Sequence, residues 1–133
     1  MGDLRQTIEE PTKILALCDD ASLIQKLLEN VRQKYSKEEL YITTSVSTFF
    51  EATNPQVNKG MGVRYLAEDL MELNKNNVMA IGDNFNDLEM LDYAGIGVAM
   101  GKAPDGVKEI ANWVAPEVED DGAAVAIENF LLS

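Results

Sequence analysis

The stretch Val78-Met-Ala-Ile-Gly-Asp-Asn-Phe-Asn-Asp87 says most about how this chain folds. It begins with a run of apolar residues that do not alternate with polar ones, which is typical of a parallel strand covered on both faces. The polar segment from Gly82 to Asp87 then predicts a loop, and Leu88 to Ala94 has the composition of a short helix. This order of strand, loop and helix predicts one step of a parallel α/β sheet.

The residues on either side of this stretch repeat the same order. A helix is predicted from Lys59 to Asn74, because apolar residues recur there every three or four positions. Its apolar stripe comprises Val63, Leu66, Ala67, Leu70 and Met71. Two further strands are predicted at Ile96 to Met100 and Trp113 to Ala115, and a closing helix at Ala123 to Leu132. Strands that alternate with helices at this spacing predict a parallel α/β sheet for residues 60–133.

The part of the chain before this series has a different pattern. Lys13 to Cys18 is a short apolar run that predicts a buried strand, and the apolar spacing after it predicts a helix that ends near Tyr35. Leu40 to Val46 and Phe49 to Thr53 then predict two neighbouring strands. Together these segments predict a small α+β section.

The chain has 133 residues, the size of one ordinary domain, and a globular composition. The change of pattern near Asn54 to Lys59 nevertheless predicts a boundary between an α+β section at residues 1–56 and an α/β section at residues 57–133. A single continuous domain is the alternative.

The chain carries 23 acidic and 11 basic side chains, a formal net charge of −12, and no histidine. A Ser-His-Asp relay and a His-ligated zinc site are therefore excluded, and the single Cys18 cannot close an intramolecular disulfide. The negative charge disfavours nucleic acids and anionic membranes as partners, because clustered Lys and Arg bind them. Met1 to Thr12 is too polar for a signal peptide, and no apolar run is long enough to span a membrane, so we expect a cytoplasmic protein.

The loop from Gly82 to Asp87 is the strongest candidate for a functional site. It follows a parallel strand, and ligands bind beyond the carboxyl ends of such strands. Asp83 and Asp87 are close enough in sequence for the loop to turn both carboxylates, and the asparagine amides between them, toward a common point. Such oxygen ligands suit Mg²⁺, which keeps waters that a phosphate can displace. Alternatively, Asp83 and Asn84 form an ordinary turn and Asp87 is a helix N-cap.

Lys59 opens the helix that precedes this loop. Its amine could reach a phosphoryl oxygen held by the same metal ion, although an isolated lysine is more often exposed to solvent. A lysine at this position shifts the balance toward a metal and phosphate site.

Four separated motifs resemble those of the Cof-type phosphatases of the haloacid dehalogenase superfamily. They are Val57-Asn-Lys-Gly60, Val78 to Leu91 with its Gly-Asp-x-x-Asn-Asp loop, Gly97-Val-Ala-Met-Gly101 and Asp120-Asp-Gly122. The resemblance covers residues 55–133 strongly, whereas residues 13–54 are more weakly similar to the end of that family's α+β cap. It implies a partial Rossmann-like parallel sheet with a remnant of an α+β cap.

The resemblance also implies a Mg²⁺-dependent phosphomonoester hydrolase. In that family an aspartate attacks phosphorus to form an aspartyl-phosphate, which water hydrolyses, while Mg²⁺ neutralises the phosphate charge. By resemblance, Lys59 stabilises the transferring phosphoryl group and Asn86 contacts the phosphate. Asp83 binds Mg²⁺, and Asp87 supports the metal and its waters. The implied substrate is a small phosphorylated metabolite, such as a sugar phosphate.

The sequence departs from the family pattern in three places. The hydroxyl-bearing strand end that normally precedes the cap cannot be placed. The apolar strand followed by Asp-x-Asp-Gly-Thr, which supplies the nucleophile and a second metal ligand, is not found. Leu17-Cys-Asp-Asp-Ala-Ser22 places carboxylates after a strand but lacks that spacing, and capping of a helix by Asp20 explains these residues better. Lys102 stands where the family more often has an amide, and it could add a phosphate contact. The nearby Glu117 to Asp121 is predicted as a solvated acidic loop, with a loose cation site as the alternative.

We therefore expect the carboxyl-terminal part of such a phosphatase, truncated and inactive as an isolated chain. The sheet edge beside Val78 to Ile81 should then be exposed, and an exposed apolar edge invites pairing with another chain, which predicts a homo-oligomer. The alternative is a non-catalytic protein that keeps metal or phosphate binding at the acidic loop, or only the fold, and uses this edge for association.

Overall fold

Residues 11–132 are described by the computed structural model, and the chain separates into two units that meet in sequence between Gln56 and Val57. This boundary lies inside the interval from Asn54 to Lys59, where the sequence pattern changes. Each unit has its own sheet and its own core.

Within the described residues, the first unit contains a three-stranded antiparallel sheet in the order β1-β3-β2. Its elements are β1 (Lys13–Leu17), α1 (Ala21–Lys34), β2 (Tyr41–Thr43) and β3 (Phe49–Thr53). Ile24 and Leu28 of α1 pack on Phe50 and Ala52 of β3. The helix therefore covers one face of this sheet and buries the core of the unit.

Asp20 caps α1, as the sequence predicts. Its carboxylate accepts a hydrogen bond of 2.7 Å from the hydroxyl of Ser22 and one of 2.9 Å from the backbone N–H of Ser22. These two bonds lower the pKa of Asp20 because they stabilise its ionised form. The carboxylate that follows β1 is thus engaged in capping.

The prediction that the first strand is buried is wrong. The side chains of Ile14, Leu15 and Leu17 are 53%, 47% and 62% exposed. β1 is an edge strand whose neighbour among the described residues is β3, and only its Ala16 packs against the core beneath α1. An apolar run predicts a strand but does not say whether a neighbour covers it.

The second unit is a three-stranded parallel sheet in the order β4-β5-β6, which confirms the predicted α/β class. Its strands and later helices are β4 (Met79–Gly82), α3 (Leu88–Tyr93), β5 (Ile96–Ala99), α4 (Asp105–Lys108), β6 (Trp113–Val114) and α5 (Gly122–Leu131). Helix α2 (Lys59–Arg64) precedes them and continues as a π-helical segment, Tyr65–Leu70. Short 3₁₀ turns lie at Lys75–Asn77, Phe85–Asp87 and Val118–Asp120.

β5 is the central strand of this sheet, and it is buried on both faces. Ala99 belongs to a cluster with Leu91 and Val107, whereas its neighbour Val98 belongs to a cluster with Ala126. Successive residues of a strand point to opposite faces, so the two clusters lie on opposite sides of the sheet. This is the two-sided cover that an uninterrupted apolar run predicts.

The predicted apolar stripe of the first helix of this unit is only partly buried. Ala67 is buried, but Leu66, Leu70 and Met71 are 53%, 59% and 63% exposed. The helix is π-helical beyond Arg64, and the backbone N–H of Met71 donates to the carbonyl of Leu66 over 3.0 Å. Because bonds between residues five apart change the number of residues per turn, a spacing of three and four no longer keeps these side chains on one face.

β4 forms one edge of the second sheet within residues 11–132. Ala80 and Gly82 are buried, and Met79 and Ile81 are partly buried. The side chains of this edge strand are therefore mostly covered, whereas its outer backbone faces no further strand in the described part of the chain. None of the described helices has the length and apolar character that a membrane crossing requires.

Candidate functional site

The acidic loop leaves the carboxyl end of β4 and forms a 3₁₀ turn before α3. Asn84 caps this turn, and its side-chain oxygen accepts a 2.9 Å hydrogen bond from the backbone N–H of Phe85. Asp87 completes a capping box with Asn84. Asn86 lies in the same turn and is partly exposed. The turn alternative for this segment is therefore correct at Asn84, while Asp87 makes no side-chain N-cap bond to α3.

The carboxylate of Asp87 is buried and points back at the start of the loop. Its Oδ2 accepts hydrogen bonds from the backbone N–H of Asp83, at 2.9 Å, and of Asn84, at 3.1 Å. The Asp87 side chain is 3% exposed. Asp87 thus fixes the backbone that carries Asp83.

Gly82 makes this close packing possible. A Cβ at residue 82 would lie 2.5 Å from the Cβ and 2.9 Å from the Cγ of Asp87. Carbon atoms in contact are normally about 3.5–4.0 Å apart. Any larger residue at the end of β4 would push Asp87, and with it the loop, away from the strand.

Lys59 reaches Asp87 from the first turn of α2. Its Nζ lies 2.5 Å from Asp87 Oδ1, and its side chain is 50% exposed. Asn58 caps α2 by accepting a 2.8 Å hydrogen bond from the N–H of Met61. A Cβ on Gly60 would lie 2.5 Å from the carbonyl oxygen of Glu89, so this glycine lets α2 pack directly on α3 and bring the lysine to the loop.

These contacts give the two aspartates different roles. Both oxygens of Asp87 already have hydrogen-bond donors, from Lys59 and from the backbone. Asp83 is exposed to solvent. Within residues 11–132, no three His, Cys, Asp or Glu side chains come together as a metal site. The donor set fits a Mg²⁺ ion with one carboxylate ligand from the loop, since Mg²⁺ is commonly bound through one or two carboxylates, substrate phosphates and water.

Lys102 is tied to the acidic segment that follows β6. Its Nζ lies 3.0 Å from a carboxylate oxygen of Glu117 and 3.0 Å from one of Glu119. The hydrogen bond to Glu119 and, to a smaller extent, the one to Glu117 raise the pKa of Lys102. The bond between Lys102 and Glu119 also lowers the pKa of Glu119. The segment is exposed to solvent, as predicted, and Lys102 neutralises part of its charge.

Sequence reasoning missed the supporting residues of this site. Neither the cap at Asn58 nor the close approaches at Gly60 and Gly82 was anticipated. Asn58 stands three residues before the N–H that it caps, which is a readable signal. The two glycines belong to the quoted family motifs, but the reason for them could not be read from the sequence, because it is the close approach of Asp87 to Gly82 and of Glu89 to Gly60.

Comparisons with known proteins place the chain in a family. The sequence profile of the haloacid dehalogenase-like hydrolases matches residues 3–127. A 5-amino-6-(5-phospho-D-ribitylamino)uracil phosphatase of Bacillus subtilis (strain 168) is 38% identical over 86% of this chain and 44% of its own length.

Two solved structures are also similar. A haloacid dehalogenase-like hydrolase from Bacteroides thetaiotaomicron has a TM-score of 0.71 at 29% identity and covers 98% of this chain and 48% of its own. A sugar phosphatase of haloacid dehalogenase subclass IIB has a TM-score of 0.72 at 27% identity and covers 80% of this chain and 40% of its own. The chain thus spans about half of the length of these proteins, or less.

Proposed function

Because the chain belongs to the haloacid dehalogenase-like hydrolases, we propose that its second unit supplies the lysine and the acidic loop of a Mg²⁺-dependent phosphomonoester hydrolase. The observation that carries this proposal is the position of Asp87. One of its oxygens holds the amine of Lys59, and the other holds the backbone of the loop that presents Asp83. The ammonium of Lys59 and the exposed carboxylate of Asp83 are thereby held near the carboxyl end of β4. Ligands of parallel sheets bind beyond the carboxyl ends of the strands.

In this proposal each residue contributes position or charge. Lys59 remains half exposed while Asp87 holds it, so its ammonium can donate to a phosphoryl oxygen. Asp83 would hold Mg²⁺. When bound, the metal ion would neutralise the charge of the phosphate and orient the ester. Asp87 acts by holding Lys59 and the loop. Asn86, in the 3₁₀ turn, would donate its side-chain amide to the phosphate. Such sets accelerate phosphoryl transfer through positioning and electrostatic stabilisation.

We propose that the 133-residue chain does not complete the reaction by itself. The aspartyl-phosphate route needs a carboxylate nucleophile, and the sequence contains no Asp-x-Asp-Gly-Thr. Asp20 caps α1 and is engaged by Ser22. Turnover of p-nitrophenyl phosphate should therefore not exceed that of buffer. Robust turnover that is lost in Asp83→Ala would show that a nucleophile lies elsewhere in this chain.

We propose a small phosphorylated metabolite that carries hydroxyl groups, such as a sugar phosphate, as the substrate of the complete active site. The names of two similar proteins support this class of substrate. One is named as a phosphatase of a phosphorylated ribityl compound, and the other is named as a sugar phosphatase. The formal charge of −12 makes a divalent cation important for any phosphate ligand, because the protein as a whole repels anions.

The proposal is tested with Mn²⁺, which is paramagnetic and takes the same oxygen ligands as Mg²⁺. In the wild-type chain, Mn²⁺ should selectively broaden the amide resonances of Asp83 and Asn84, and excess Mg²⁺ should reverse the effect. Asp83→Asn should abolish the broadening, whereas Asp105→Asn, at an exposed carboxylate of α4, should not change it. Equal broadening in wild type and Asp83→Asn would contradict the assigned ligand.

We also keep association as a second proposed role. β4 is an edge strand in the described part of the chain, and pairing of two copies along this edge would satisfy its outer backbone groups. Light scattering at micromolar concentration should then give the mass of a dimer or larger assembly. A monodisperse monomer would contradict this role and leave the phosphate site untouched.

A further inference from the structure

β1 is the least covered edge strand in the described part of the chain. Ile14, Leu15 and Leu17 are between 47% and 62% exposed. Of the other edge strands, β2 and β6 have only three and two residues, and β4, with four, has no exposed side chain. A long apolar sheet edge is a template for pairing with another chain, and most proteins shield it. The question for this protein is therefore what covers β1.

The backbone of β1 has hydrogen-bonding groups on its outer side. The N–H of Cys18 donates to the carbonyl of Thr48 over 3.0 Å, and this bond continues the register of the β1–β3 ladder. In an antiparallel ladder, hydrogen-bonded residues alternate with residues whose backbone groups point away from the neighbouring strand. Counting back from Cys18, every second residue bonds to β3, and the residues between them direct N–H and C=O outward. These outward residues are Lys13, Leu15 and Leu17.

The outward residues are complementary to a second copy of the same strand. When two copies of β1 run antiparallel about a two-fold axis at Leu15, Leu15 lies opposite Leu15 of the second copy and Lys13 lies opposite Leu17. Every outward N–H and C=O of the strand then has a partner in a single register. In the same register Ile14 lies opposite Ala16, so a large exposed side chain meets a small one across the strands. The strand is therefore self-complementary.

The distribution of charge also favours contact between two first units. Residues 11–56 carry five basic and six acidic side chains, whereas residues 57–133 carry five basic and fourteen acidic ones. Repulsion between two copies of this acidic chain is therefore smallest where their nearly neutral first units meet. A lysine in an edge strand normally opposes pairing, but Lys13 is held by Glu51 of its own sheet. Its charge is thus already balanced within one copy.

We infer that two copies of this chain pair antiparallel along β1, about a two-fold axis at Leu15, and form one continuous six-stranded sheet. Pairing removes the exposed apolar side chains of β1 from water and satisfies the outward backbone groups. The axis is perpendicular to the sheet, so helix α1 of each copy lies on the same face of it. This interface is distinct from the β4 edge, and it does not depend on phosphoryl transfer.

The test combines light scattering with amide hydrogen exchange on the full chain at micromolar concentration. Leu15→Lys places two like charges opposite each other at the axis, so it should weaken association about tenfold or more and halve the mass of the assembly. Leu17→Lys places each new lysine opposite Lys13 of the second copy and should give the same result if Leu15→Lys does not fold. Leu70→Lys adds the same charge at a leucine of the second unit that is 59% exposed, and it should leave the mass unchanged.

Hydrogen exchange identifies the edge that pairs. In the wild-type assembly the outward N–H of Leu15 should be protected, because it donates to the second copy. In Leu17→Lys the same N–H should exchange rapidly, whereas the N–H of Ala16, which bonds to β3, should stay protected in both proteins. Pairing along β4 alone would leave the N–H of Leu15 unprotected.

Three results would overturn the inference. The first is a wild-type monomer at micromolar concentration, and a protected Leu15 N–H in that monomer would show that the same chain covers the edge. The second is an assembly whose mass is unchanged in the folded β1 variants, and the third is an assembly in which the N–H of Leu15 exchanges rapidly. Mn²⁺ broadening at Asp83 is measured independently, so failure of either proposal leaves the other standing.

Discussion

Removal of the Lys59–Asp87 ion pair should destabilise the second unit. The Asp87 side chain is 3% exposed and that of Lys59 is 50% exposed. Lys59→Met leaves a buried carboxylate without its cation, a change that costs about 3–5 kcal/mol in fully buried pairs. Exposed pairs contribute only about 0–1 kcal/mol. Because solvent reaches half of Lys59, we expect Lys59→Met to lower the free energy of unfolding by about 1–3 kcal/mol.

The double variant distinguishes this pair from two independent residues. Asp87→Asn removes the charge but keeps an acceptor for the backbone N–H of Asp83 and Asn84, so it should cost about 1–2 kcal/mol. In Lys59→Met with Asp87→Asn, no buried charge remains uncompensated. The double variant should therefore lose about 1–2 kcal/mol less than the sum of the single variants.

Urea unfolding followed by fluorescence reports on this unit specifically. Trp113, the single tryptophan, lies in β6, and its ring centroid is 5.6 Å from that of Phe130. Arg64 and Glu68 are a matched control, since they form an exposed ion pair of the same helical segment. A double-mutant cycle on this control pair should show no coupling energy beyond the experimental error. Additive losses in the Lys59–Asp87 cycle would refute the conclusion that this pair holds the loop.

Three further predictions concern Gly82, Glu51 and Asp20. Gly82→Ala should cost about 1–3 kcal/mol by overpacking against Asp87, whereas Gly62→Ala, which has nothing within 4 Å of its Cβ position, should be neutral or stabilising in the same unfolding assay. Burial raises the pKa of Glu51, but hydrogen bonds from Lys13 and Ser45 outweigh it and leave that pKa below the ordinary glutamate value. The stabilisation from Glu51 is therefore complete above the ordinary glutamate pKa and is lost as pH falls through the folded pKa. Acid unfolding followed by circular dichroism should depend less on pH in Glu51→Gln. Asp20→Ala should speed amide hydrogen exchange in the first turn of α1, and Asp19→Ala, beside the cap, should not.

The parallel strands and the two-sided cover of β5 could be predicted from sequence, but the exposure of β1 could not. Uninterrupted apolar runs located β4 and β5 because two-sided burial leaves few polar positions. The same kind of run at Lys13 to Leu17 is an exposed edge strand, since exposure depends on which strand lies beside it. The π-helical segment after Arg64 also escaped prediction, because its hydrogen-bond pattern follows packing and not the spacing of apolar residues.

The candidate site shows the same division. Residue types and order were enough to nominate Lys59 and the acidic loop as candidates for metal and phosphate chemistry, which uses carboxylates and an amine. The structure brings the two together through the Lys59–Asp87 ion pair. The distinct role of Asp87 was not readable, since its two oxygens are engaged by Lys59 and by the backbone of the loop. Likewise Lys102 is paired with Glu117 and Glu119, contacts that depend on how β6 returns beside β5.

Linked binding of inorganic phosphate and Mg²⁺, measured by titration calorimetry, tests most directly whether Asp87 presents Lys59 and Asp83 to one ligand. Wild type should bind phosphate more tightly when Mg²⁺ is saturating, Asp83→Asn should lose that gain, and Lys59→Met should weaken phosphate binding with or without the metal. Equal phosphate affinity in all three proteins, unaffected by Mg²⁺, would contradict the account.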